Sequence, residues 1–169
     1  MPGFIVAYVK YVDKFNRVIG RFMMYGIFVM VGILMWSSIS KTFFMPSLWT
    51  LESAQFMMVA YYIIGGAYAI QLKANVRMDL FYGEWSVKKR AWVDAFTVFF
   101  LIFYLAVLLY GGLESLFYSL EYGQRTRSAW RPLIWPIKAV MCTGFILMIL
   151  QSISEFIKDI ATIRGVEIK

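Results

Sequence analysis

Residues 91–117 read AWVDAFTVFFLIFYLAVLLYGGLESLF, and the residues between Asp94 and Glu114 carry no charge. A helix on the surface of a soluble domain shows a polar face every three or four residues, and this stretch has none. As a helix rising about 1.5 Å per residue it is about 40 Å long, more than the roughly 30 Å of a bilayer's hydrocarbon core. The segment therefore reads as a membrane-spanning helix that tilts or protrudes.

Working outward, three further apolar stretches reach the roughly 20 residues that one crossing needs, at about 18–38, 51–72 and 133–157. The 169 residues are 61% hydrophobic and 19% aromatic. Soluble chains run to about 45–50% apolar residues. The longest piece outside the spans is shorter than the roughly 40 residues of a small independent domain. The expected architecture is an all-α integral membrane protein with four transmembrane helices, in a single membrane domain over 1–169. Ahead of the first span, Ile5, Tyr8, Val12, Phe15 and Ile19 recur near helical spacing with Lys10, Asp13, Lys14 and Arg17 between them. That pattern predicts a short interfacial amphipathic helix. The late apolar core and the lack of a small-x-small site favour an uncleaved anchor over a signal peptide.

Basic residues set the orientation. Lys10, Lys14, Arg17 and Arg21 stand at the N-terminal end, up to the start of the first span, Lys73, Arg77, Lys88, Lys89 and Arg90 fill the middle loop, and Lys158, Arg164 and Lys169 follow the last span. The opposite side holds Lys41, Arg125, Arg127, Arg131 and Lys138. The positive-inside rule then places both termini in the cytoplasm. The same rule accounts for the net charge of +7 without nucleic acid as a partner.

Histidine is absent and Cys142 is the single cysteine, which rules out bis-histidine haem, Cys/His zinc sites and an internal disulfide by count. No cofactor is expected. Cys142 reads as a small packing residue. Apart from amides and hydroxyls such as Gln55, Thr97, Thr143 and Ser152, the middle of every span is apolar, and no span carries a continuous polar stripe. No carboxylate is placed to bind a coupling ion, so neither an enzyme nor a self-sufficient transporter is expected.

The remaining charges fall at span edges. Asp94 and Glu114 lie about 30 Å apart along one helix, too far to act as a pair. Asp94 falls within reach of Lys73 or Arg77, while Glu52 and Glu114 fall near the arginines of residues 125–131, RTRSAWR. Those arginines run against the charge rule. Two readings stand for Arg125, Arg127, Trp130, Arg131 and Lys138: a local ionic network with Glu52, Glu114 and Glu121, or an outward surface for an acidic partner. The six tryptophans fall near span ends, as in an aromatic belt. Gly65, Gly66, Ala69, Gly111 and Ser115 permit close helix contact, within the chain or with a partner.

Several motifs in fixed order resemble one family. Glu52 stands in LWTLESAQ at the start of the second span. GGAYAIQLKANVRMD supplies Gly65, Gly66, Lys73, Val76, Arg77 and Asp79 at its other end. SAWRPLIWPIK carries Ser128, Trp130, Pro132, Pro136 and Lys138 into the fourth span. Together they resemble the small membrane subunit, DctQ-like, of the tripartite ATP-independent periplasmic (TRAP) transporters. Asn75 stands where relatives often have histidine, which removes pH sensing at that position.

The resemblance implies a bacterial or archaeal cytoplasmic membrane, a large multi-span membrane subunit, a periplasmic substrate-binding protein and surrounding lipid as partners. It also implies sodium-driven uptake of a small organic acid anion, with this chain bracing the large subunit's scaffold. An anchor subunit of another complex and a small four-helix multidrug-type transporter are the alternatives. The latter would need a carboxylate deep in a span.

Overall fold

A computed structural model describes residues 3–45, 47–72, 74 and 86–164. They form five helices: α1 (Gly3–Met24), α2 (Gly26–Phe43), α3 (Thr50–Gln71), α4 (Val87–Glu121) and α5 (Trp135–Ile163). Four helical stretches are long and apolar enough to cross a membrane: Phe4–Phe43, which joins α1 to α2, then Thr50–Gln71, Lys88–Glu121 and Trp135–Ile163. Pro136 sits in the first turn of α5, where a missing N–H leaves no helical bond unmade. The chain is an all-α integral membrane protein.

The N-terminal region departs from expectation. Helix starts at Gly3 and continues to Met24, and a tight turn at Tyr25 stands inside the stretch expected as the first span, 18–38. Tyr25 N donates to Phe22 O and Phe28 N to Tyr25 O, both at 3.1 Å and both to the third residue back. These bonds carry the chain from α1 into α2 with little interruption. The buried face of α1 is Val9, Val12, Asn16 and Gly20, with Asn16 in its middle. Phe15, part of the apolar repeat read as an interfacial helix, is exposed, lying roughly 100° around the helix from Asn16.

The membrane helices do not close into a bundle. α2 packs on α3, α3 on α5 and α5 on α4, and neither end helix makes a comparable contact elsewhere in the row. The spatial order is thus α2, α3, α5, α4, a single layer with α1 laid against α3 and α5. Both α3 and α5 have neighbours on either side and α1 against them, and α5 is the more enclosed of the two. Its most apolar window is 39% buried against 6% for α4. Along α1, Tyr8 and Asn16 are about 12 Å apart. Tyr8 bonds to Leu150 O and Asn16 to Gln151, so α1 crosses α5 steeply.

Water gives no hydrophobic drive between helices already in lipid, so close contact has to come from small residues. A Cβ on Gly66 would overlap Met148 of α5, and one on Gly20 would overlap the ring of Tyr68. At Gly144 a Cβ would meet the side chain of Ile63 and lie 3.2 Å from its backbone carbonyl carbon. Gly112 faces Cys142 Sγ, 3.3 Å from a Cβ position, and Cys142 is buried there between α4 and α5. The small residues expected at helix contacts therefore divide: Gly66 packs within the chain, whereas Gly65 of the second span and Gly111 of the third meet nothing within 4 Å.

Gly144→Val should destabilise the purified protein by about 1–3 kcal/mol, because backbone rather than a flexible side chain blocks the added volume. Gly65→Ala should stay within about 0.5 kcal/mol of wild type. Thermal melts of the two variants in one detergent test the pair.

Candidate functional site

Polar side chains gather in two places, one at each end of the helix row. At the end that holds both termini, α1 meets the last three turns of α5. Asn16 Nδ2 donates to Gln151 Oε1 at 2.7 Å. Gln151 Nε2 donates to Asp13 Oδ1 at 2.9 Å, and Ser154 Oγ to the same oxygen at 3.1 Å. Lys158 Nζ lies 2.7 Å from Asp13 Oδ2 and 2.7 Å from Glu155 Oε1. Gln71 of α3 donates to the backbone carbonyl of Asp13 at 2.9 Å. Asn16 and Gln151 are almost completely buried, and Ser152, Ser154, Glu155 and Asp159 are buried with them.

This junction corrects the expectation that no span carries a polar stripe. Gln151, Ser154, Glu155 and Lys158 stand three and four residues apart on one face of α5, and Asp13 and Asn16 stand three apart on α1. The spacing is in the sequence. A count confined to the middle of each span passes over it, since Gln151 is about 24 Å from the start of α5 and the stripe runs on from there.

At the other end, the 122–134 loop closes between α4 and α5. Gly123 takes φ 54 and Gln124 N bonds back to Ser119 O at 3.2 Å, ending α4 through a left-handed residue, which glycine adopts without steric cost. Thr126 N and Oγ1 both donate to Pro132 O, and Ile134 N donates to Gln124 O, so the loop folds back on itself as a short hairpin with a bridge between Arg125 and Leu133. Arg131 at its tip has φ 51, a costly conformation for a residue with a Cβ, with its N–H held by Ser128 Oγ at 3.3 Å. Lys138 anchors the hairpin from below: its amine donates to Ser115 O at 3.1 Å, to Gln124 Oε1 at 3.2 Å and to Ser119 Oγ.

Of the residues expected in an outer ionic cluster, the structure brings together only part. Arg125, Arg127, Trp130 and Arg131 are exposed on the hairpin. Among the described residues no ion pair joins these arginines to Glu52, Glu114 or Glu121. Glu114 accepts a hydrogen bond from Tyr110 one turn back, at 3.0 Å. Glu52 lies in the first turn of α3, 4% exposed, and neither carboxylate oxygen has a partner among the described residues. The opposing dipole of the first helical turn favours its charge at that position. The second predicted group divides in the same way. Gly65 and Gly66 both line an apolar groove of about 500 Å³ between α1 and α3, with Gly20, Tyr61, Tyr62 and Tyr68. Lys73, Asn75, Arg77 and Asp79 lie outside the described residues, so the expected reach from Lys73 or Arg77 to Asp94 does too.

The arrangement offers no catalytic constellation that the described residues reveal: no group of three or more Asp, Glu, Cys or His side chains is placed to hold a metal ion among them. The class defined by fold and polar sites is a multi-pass helical membrane protein whose polar groups join helix to helix. Over residues 30–162 the chain matches the family model described as tripartite ATP-independent periplasmic transporters, DctQ component. It belongs to that family, a transporter component rather than an enzyme family. No curated protein and no solved structure matches the chain.

Two outcomes test the two sites. Asn16→Leu and Gln151→Leu should each cost about 1–3 kcal/mol by leaving a buried amide unpaired, and the double variant should cost less than their sum by at least about 0.5 kcal/mol. A double-mutant cycle on thermal or denaturant unfolding reads this directly. Lys138→Met should free the hairpin, so limited proteolysis should cut within 124–134 faster than in wild type while α5 stays intact.

Proposed function

We propose that the chain is the small membrane subunit of a binding-protein-dependent secondary transporter and braces the scaffold of a larger multi-span subunit. One observation carries the reading: the four membrane helices lie in a single row. A row has no interior, so it offers no path enclosed by this chain and no central site for a coupling ion. It has two broad apolar faces instead, exemplified by Phe96, Phe103, Tyr110 and Phe117, each more than half exposed on α4. Apolar surface on that scale suits contact with another membrane protein as well as lipid. The small multidrug-type alternative lacks the mid-span carboxylate its mechanism needs, since the acidic junction at Asp13 and Glu155 sits toward one membrane surface and is ion-paired with Lys158.

In this reading the chain forms one membrane domain, crosses a bacterial or archaeal inner membrane four times and keeps both termini in the cytoplasm. The large subunit moves a small organic acid anion inward on a sodium gradient, delivered by a periplasmic binding protein. The hairpin then faces the periplasm. Arg125, Arg127 and Arg131, without a carboxylate partner among the described residues, present a cationic tip, and an acidic patch on the binding protein is the complementary surface.

Purification in mild detergent from the native membrane should recover a large permease in about equal amount. Deleting this chain should abolish sodium-dependent, binding-protein-dependent uptake. Arg127→Glu should weaken docking of the binding protein and leave co-purification of the permease intact. Recovery of the chain alone, or with a redox enzyme, would sink the brace.

A further inference from the structure

α1 carries three distinct faces, and packing against α3 and α5 uses only one. Val9, Val12, Asn16 and Gly20 are buried against α3 and α5. Lys10, Lys14, Arg17 and Arg21 follow at spacings of four, three and four, which puts all four within an arc of about 60° on the exposed side. Between the basic arc and the buried face runs a third strip, Phe4, Tyr11, Phe15, Val18 and Phe22, exposed from 47% to 83%. Among the described residues none of the four cations has a carboxylate partner. Asp13, the acidic side chain nearest in sequence, is turned away to Lys158, Gln151 and Ser154.

Where basic arc and apolar strip adjoin, a depression of about 370 Å³ is lined by Lys14, Arg17, Val18, Arg21, Phe22 and Tyr25. Three cations border it on one side and an aliphatic and two aromatic side chains on the other. A soluble anion would use only the cations, and a neutral lipid only the apolar wall. A ligand with a phosphate at one end and an acyl chain leading away from it uses both.

We infer that this depression is a binding site for an anionic phospholipid, with the phosphate held by Lys14, Arg17 and Arg21 and the start of an acyl chain along Val18, Phe22 and Tyr25. Guanidinium groups match phosphate oxygens two at a time, and each basic side chain near a membrane surface contributes attraction to anionic headgroups. The site stands apart from any transport role and holds whether or not the brace reading does. Its effect is to fix the depth of α1, and through the Asn16 and Asp13 junction that of α5.

The test uses the full chain, purified in mild detergent and equilibrated with equal amounts of phosphatidylglycerol and phosphatidylcholine, with bound lipid counted by native mass spectrometry. Wild type should retain phosphatidylglycerol in preference. Each charge removed in a Lys14→Gln, Arg17→Gln, Arg21→Gln series should lower the phosphatidylglycerol to phosphatidylcholine ratio about fivefold. The charge-conserving triple variant Lys14→Arg, Arg17→Lys, Arg21→Lys should lower the ratio less than removal of all three charges does, since the charge stays while paired guanidinium contacts are lost. Arg125→Gln, Arg127→Gln, Arg131→Gln removes the same charge from the opposite end and should leave the ratio unchanged. An unchanged ratio in the first series overturns the site. So does an equal fall in the hairpin variant, which would mean attraction to net charge alone.

Discussion

Lys158 holds the end of the molecule on which the rest of the arrangement depends. Its amine sits 2.7 Å from a carboxylate oxygen of Asp13 and 2.7 Å from one of Glu155. Removing that amine would take the counter-charge from two partly buried carboxylates at once, at a large desolvation cost. With the amine in place, Asp13 is free to accept from Gln151 and Ser154, and Gln151 to accept from Asn16. The chain of bonds fixes which face of α1 turns inward. Once Asn16 is inward, the basic arc must face out, and the aromatic strip follows at the side.

The opposite end uses the same device with a different partner. Lys138 gives its protons to a carbonyl, a hydroxyl and an amide oxygen, all from the end of α4 and the loop beyond it. Both lysines join α5 to a neighbour, and both lie near a helix terminus, where a long aliphatic stem remains in the apolar layer while the amine reaches polar groups. In each case a cation that looks like surface charge in the sequence is a fastening between helices.

Hydropathy made the membrane helices legible, because a run such as 95–113 has no other stable use. It did not make their arrangement legible. A closed bundle and an open row need the same apolar lengths, and the difference lies in which small residue faces which neighbour. Gly65 and Gly66 are adjacent and chemically identical, yet a Cβ on Gly66 would overlap Met148 while one on Gly65 would meet nothing within 4 Å. The arginine cluster was legible as a feature, but its lack of carboxylate partners among the described residues depends on a hairpin set by Gly123 and by two bonds from Thr126 to Pro132 O. The junction at Asp13, Asn16 and Gln151 was legible in spacing alone, and 135 residues separate the two amides that meet there.

A single layer of upright rods has unequal stiffness: it resists compression along the rods and bends readily about lines parallel to them. Here that compliance is removed selectively. α1, crossing α5 and touching α3, locks the central seam at one end, and the hairpin with Lys138 locks the seam of α5 and α4 at the other. The seam of α2 and α3 is joined at the hairpin end by Thr50 and Ser37 and at the other end by the continuation of α2 into α1. Each seam is clasped, and the clasps fall at both membrane surfaces. A load applied to either flat face is therefore carried as twist through the whole layer rather than as a fold along one line.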